Sequence, residues 1–207
     1  ALGICHIIID KGLNISLKAV IEQALNSYQN KLDIDKAQLT NNIYGFFEQR
    51  VRNILAEAGH RYDVVEAIIL SGYDNLMETL LRAEALERVK GTETFNKLLT
   101  AFTRANNLAK KAEQDLIEEK YFQEQVEKDL YQKLLEVEKE VAKAIEAKDF
   151  TIALTQVASL EEEINAFFTG VMVMAEDEKV KNNRLALLLN ITKLVEPIAD
   201  LTKIVQD

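Results

Sequence analysis

An all-α fold, arranged as a multi-helix bundle, is what this sequence of 207 residues predicts, and three observations predict it. The composition is 48% hydrophobic and 29% charged, with only seven Gly and one Pro. Such a chain has few helix breakers and lacks the frequent turns that a β sandwich or barrel needs. Apolar residues recur at spacings of three and four, the period of a helix with one buried face. Between those runs stand Gly12, Gly59, Gly72 and Gly91, where a residue with positive φ closes a helix.

In chain order, the pattern predicts helices over residues 2–11, 15–29, 36–58, 63–71, 74–90, 92–112, 116–147, 149–169 and 176–205. The first runs straight on from Ala1 with no start signal, which reads as the middle of an element in a fragment of a larger protein. The third turns Phe47, Val51, Ile54 and Ala58 inward and Gln49, Arg52 and Asn53 outward. Asp63 with Glu66 three residues on reads as a capping box, and Asp74 and Thr92 stand as N-caps of the next two helices. In 92–112 the core side is Phe95, Leu98, Phe102, Ala105 and Ala109. Val126, Leu130, Leu134, Val137, Val141 and Ile145 give the seventh helix one apolar stripe. Pro197 should kink or restart the last helix, because it lacks the N–H that bonds one turn back. Ile7–Ile9 and Val171–Met174, the latter between two expected helices, are the places where a strand competes, and strand is preferred at neither. Cys5, Met172 and Met174 are expected to fill the core.

Several function classes are excluded or disfavoured. The balance of 25 basic and 34 acidic residues, −9 in all, is not that of a polybasic nucleic-acid binder, so any nucleic-acid contact must be local. A single Cys allows no internal disulfide and no CxxC site, which suits a reducing cytosol. No apolar stretch approaches the roughly 20 residues of a membrane span. No glycine-rich phosphate loop occurs, and His6 and His60 have neither the spacing nor a second thiol for a zinc site. Neighbouring carboxylates such as Glu118 with Glu119, or Glu161 to Glu163, read as solvated helix faces and not as an acid–base pair. No catalytic residue and no metal ligand is assigned.

The charge is unevenly placed. Residues 113–147 hold 11 acidic residues and five Lys, a local −6, whereas 94–112 hold Lys97, Arg104, Lys110 and Lys111 and no carboxylate. On a helical wheel Lys97, Thr100, Arg104, Asn107 and Lys111 fall within about 80° of one another, opposite the apolar side. This is a solvated stripe or a face that holds phosphates and reads bases. Arg50, Arg52, Asn53 and Arg61 with Tyr62 form a second, weaker patch, where Tyr62 either covers a helix end or stacks on an unpaired base. Side-by-side packing of the two helices would make that patch the opposite wall of one site. Arg184, with Glu176, Asp177 and Glu178 two turns before it, is expected in a structural ion pair.

The same segments carry a family resemblance. Phe46-Phe47-Glu48-Gln49-Arg50-Val51-Arg52-Asn53-Ile54-Leu55, Arg61-Tyr62-Asp63-Val64-Val65-Glu66-Ala67 and Ala101-Phe102-Thr103-Arg104-Ala105-Asn106-Asn107-Leu108 resemble the C-terminal region of the bacterial glycyl-tRNA synthetase β subunit. Phe167-Phe168-Thr169-Gly170-Val171-Met172-Val173-Met174, followed by Asn183-Arg184-Leu185-Ala186-Leu187-Leu188, is similar to the end of the DALR-type anticodon-binding domain, also found in arginyl-tRNA synthetases. The Asp-Ala-Leu-Arg signature itself would lie just before Ala1, and His6 stands where the family places a stronger base.

What the resemblance implies is a single helical anticodon-binding domain over 1–207, the C-terminal part of a longer cytoplasmic chain. It would hold the anticodon arm of glycine tRNA and need no cofactor of its own. ATP and magnesium would be used on a separate α subunit, reached through the rest of the β chain, in an α2β2 tetramer that touches neither DNA nor membrane. Lys97, Arg104, Asn107, Lys111, Arg52, Asn53, Arg61 and Tyr62 are the candidate tRNA contacts. From the residues alone, the alternative is a helical protein–protein interaction module using the acidic helix 116–147.

Overall fold

The computed structural model describes residues 1–28 and 35–206, and among these every regular element is a helix. The helices are α1 (Leu2–Asp10), α2 (Leu17–Asn26), α3 (Lys36–Glu57), α4 (Tyr62–Leu70), α5 (Leu76–Lys90), α6 (Glu93–Ala109), α7 (Gln125–Glu146), α8 (Phe150–Ala158), α9 (Glu161–Gly170) and α10 (Glu178–Val195), with 3-10 turns at Glu119–Tyr121 and Leu201–Lys203. The expected end of the second helix at 29 lies outside the described residues. Ile7–Ile9 is helical, and Val171–Met174 is a loop and not a strand.

One core runs through the fold, from Cys5, Leu55 and Ile68 through Leu86 and Leu98 to Leu130, Leu154 and Leu187. On one side α3 packs on α1, α2, α4 and α5; on the other α6 packs on α9 and α10, and α7 on α8 and α9. Helix α5 joins the two sides by packing on α8. The expected stripe of α7 is buried at Leu130, Leu134, Val137 and Val141. Gly12, Gly59 and Gly72 have positive φ as expected, but Gly91 is right-handed at φ −77, because Thr92 starts α6 at once and no reversal is needed.

Four expectations are corrected, three of them by partners distant in sequence. Residues 116–124 are not α7: Asp115 O accepts from Asn190 at 2.7 Å and Glu118 N donates to Asn183 at 2.7 Å, so α10 satisfies that backbone. Helix α7 begins instead at a capping box of Glu124 and Glu127. The single helix expected over 149–169 breaks at Ser159, where the chain turns at buried Leu160 and the acidic first turn of α9 follows. Helix α10 ends at Val195, and beyond it Arg82 collects the carbonyls of Pro197 and Ile198. Asp74 does not cap its own helix: Asn75 caps α5, while Asp74 accepts the N–H of Leu17 and of Lys18 at the start of α2.

Asp63 and Glu66 do not form a capping box either: Arg61 is the N-cap of α4, Asp63 binds Lys90 and Glu66 binds Arg52. Ala58 is exposed. Met172 and Met174 are not core residues, being 75% and 42% exposed.

Gly170 closes α9 against the first turn of α7, where an added Cβ would lie 2.8 Å from Cγ2 of Val126. Val126 is stiff at χ1 and cannot turn away freely. Gly170→Ala is therefore expected to destabilise by about 1 kcal/mol, helix propensity offsetting part of the overpacking cost. A urea midpoint equal to or above the parent's would show that the contact relaxes.

Candidate nucleic-acid interface

Helix α6 starts where Thr92 accepts the N–H of Phe95 at 3.3 Å. Its apolar side, Phe95, Leu98, Phe102, Ala105 and Ala109, is buried against α9 and α10, which forces Lys97, Thr100, Arg104, Asn107 and Lys111 into solvent. These cations differ in what surrounds them. Lys97 is paired with Glu93 at 2.7 Å, and the hydrogen bond to that carboxylate holds the ammonium above its ordinary pKa. Arg104 lies over the ring of Phe168 of α9, its guanidinium carbon 4.1 Å from the ring centre, and makes no hydrogen bond among the described residues. Arg104, Lys110 and Lys111 have no carboxylate partner among the described residues.

The second patch surrounds a cleft of about 500 Å³ between α3 and α4, lined by Gln49, Arg52, Asn53, His60, Tyr62 and Glu66. Tyr62, 79% exposed, stands out from the start of α4 and covers nothing. Asn53 accepts from Gln49 at 2.9 Å. Arg52 is half-buried between Glu48, at 2.9 Å, and Glu66. Burial works against its charge, and the two carboxylates outweigh this and raise its pKa. Arg52 thus braces the cleft and has little left to offer a ligand. Arg61 lies 3.4 Å from Asp63. His60, with Nδ1 3.7 Å from Glu87, also lines the cleft; only the turn after Gly59 hinted at it in the sequence.

The side-by-side packing of α3 and α6 is not found, since α4 and α5 connect them. A segment beyond α10 ties α4 to α6 instead. Val205 N–H donates to Asp63 at 3.0 Å, beside Tyr62, and the next residue, Gln206, donates to Thr100 on the α6 stripe at 2.9 Å. Two residues of chain therefore link the buried Asp63 of α4 to the stripe. Among the described residues no three of His, Cys, Asp and Glu converge as metal ligands, and no helix is long and apolar enough to cross a membrane.

Residues 98–205, which hold most of this stripe and the helices packed on it, match the family described as the DALR anticodon binding domain, and the chain belongs to that family. Residues 1–70, which build the cleft, match the glycyl-tRNA synthetase beta subunit family.

Among relatives, the chain is similar to the glycine–tRNA ligase beta subunit of Desulforamulus reducens, 38% identical over 207 residues (99% of this chain and 30% of that protein). It is also similar to the same subunit of Clostridioides difficile, 39% identical over 205 residues, again 99% and 30%. The chain thus spans about a third of the length of these relatives. The resemblance read from the motifs is borne out, and the interaction-module alternative is not favoured.

Proposed function

We propose that residues 1–207 act as one module that binds the anticodon arm of glycine tRNA, in the β chain of a cytoplasmic glycyl-tRNA synthetase that attaches glycine to its tRNA at the expense of ATP. On this reading adenylate formation, with ATP and magnesium, belongs to a separate α subunit in an α2β2 assembly. The observation that carries it is the α6 face of a DALR-family chain, whose Arg104, Lys110 and Lys111 are exposed and uncountered in a protein of net charge −9.

Glycine anticodons share two cytosines, whose pairing edges offer an amino donor and acceptors. Arg104, preset on Phe168, supplies a donor fork, and Asn107 one turn on supplies both a donor and an acceptor. Lys111 holds a flanking phosphate; Lys97, already paired with Glu93, contributes less. Asn53 and Tyr62, which line the cleft, and the neighbouring Arg61 supply a second contact surface, with Tyr62 for stacking and Arg52 as its brace.

Binding of glycine tRNA, against a non-cognate tRNA, at several salt concentrations tests this. Lys111→Glu should weaken both tRNAs alike and lower the salt slope by about one, whereas Arg104→Ala and Asn107→Ala should each cost about 1–3 kcal/mol and relax discrimination. Lys97→Glu should cost less than Lys111→Glu. Parent-like binding by all four folded variants would leave the stripe a solvated surface.

A further inference from the structure

We propose that the loop between α9 and α10 presents Met172 as an apolar platform for an unpaired RNA base, and that Arg184 is the positioning residue holding that loop. The proposal rests on the RNA-binding reading above and adds to it an uncharged base contact.

Helix α9 runs in the same direction as α6. Glu161 and Glu162 act electrostatically on Lys97, and seven residues further along α6 Arg104 lies on Phe168. The chain leaves α9 after Gly170, two residues beyond the Arg104 contact, between Val126 at the start of α7 and Arg184 of α10. It leaves extended, with Val171 at φ −134 and ψ 148, and in an extended chain successive side chains alternate. Val173 turns into the core at 6% exposure, which directs Met172 and Met174 outward.

The backbone beneath Met172 is braced. Its carbonyl accepts from Arg184 Nη1 at 3.0 Å, and Arg184, 5% exposed, is itself held by Glu127 at 2.9 Å. A long apolar side chain is thus held in solvent on a fixed support. A thioether is polarisable and adapts to flat rings, which suits the face of a base without selecting among bases. The α6 stripe supplies the charge that favours RNA. Arg104 and Lys111 are uncountered, while of the three acids that follow the loop Asp177 is engaged as the cap of α10, Glu178 is paired with Lys181 at 2.6 Å and Glu176 is exposed.

The test is binding of the parent chain, Met172→Ala, Arg184→Lys and the double variant to a fluorescent anticodon stem-loop of glycine tRNA, at three salt concentrations, with folding checked by circular dichroism. Met172→Ala should weaken binding roughly two- to ten-fold, and the salt slope should stay as in the parent because no phosphate contact is lost. Arg184→Lys should weaken binding similarly, and adding Met172→Ala to it should cause little further loss, since the two act through one loop. Parent-like affinity of Met172→Ala, or a salt slope changed by about one, overturns the proposal even if Arg184→Lys does not fold. Failure of the parent chain to bind the stem-loop overturns the RNA-binding reading and this proposal with it.

Discussion

Glu127→Ala is expected to lower the stability of the fold by about 3–5 kcal/mol, seen as a fall in the urea midpoint with little change in slope. The Glu127 carboxylate is fully buried and accepts four hydrogen bonds. Two come from Arg184, at 2.9 and 3.1 Å, and two from the N–H groups of Gln123 and Glu124, at 2.9 and 2.8 Å. Its removal leaves a buried guanidinium without a counter-charge and the N–H groups of Gln123 and Glu124, just before α7, without an acceptor. Glu127→Gln combined with Arg184→Met should be less damaging than Glu127→Ala alone, because no uncompensated charge remains.

The pair also predicts a pH dependence. Burial pushes the Glu127 carboxyl up, but the hydrogen bonds from Arg184, Glu124 and Gln123 outweigh it and hold the pKa below the usual carboxylate range. A carboxylate depressed in the folded state adds stability above its unfolded pKa, about 4.3 for Glu, and that stability is lost as the pH falls through the folded value. The parent should therefore lose more stability than the double variant on acidification below about pH 4. Equal losses would place the acid sensitivity elsewhere.

Asp63→Ala is the second large loss expected, again about 3–5 kcal/mol. Asp63 and Lys90 are both buried and bonded to each other, and Asp63 also accepts Val205 N–H at 3.0 Å. Burial raises the Asp63 pKa, and Lys90, Val205 N–H and Arg61 together more than reverse it. This contribution too is lost on acidification. Because the same oxygen anchors Val205, amide exchange at Val205 and Gln206 should speed up in Asp63→Ala, and the link between α4 and α6 should loosen. Unchanged exchange at Val205 would mean that Gln206, through Thr100 and Asn96, holds the segment without Asp63.

Most of α6 was readable from the chain alone, since what makes it is local: Thr92 caps it, its apolar residues share one side, and the cationic stripe follows from a period of 3.6. The same local physics gave the buried stripe of α7 and the reversals at Gly12, Gly59 and Gly72. For Arg184 an ion pair was foreseen, but its partner was not. The expected acids lay two turns back on its own approach, whereas the structure pairs it with Glu127, 57 positions away. Asp63 looked like a helix cap and became the buried partner of Lys90, 27 positions on. Met172 looked like core and faces solvent, because Val173 took the inward place and Arg184 held the backbone between them. The sequence by itself thus determined which faces of the helices could be buried, because that depends on residues within two turns. Only the tertiary structure decided which charges are consumed in pairs and which stay open to a ligand, because a buried charge takes the counter-charge that packing brings within hydrogen-bond reach, whatever its distance along the chain.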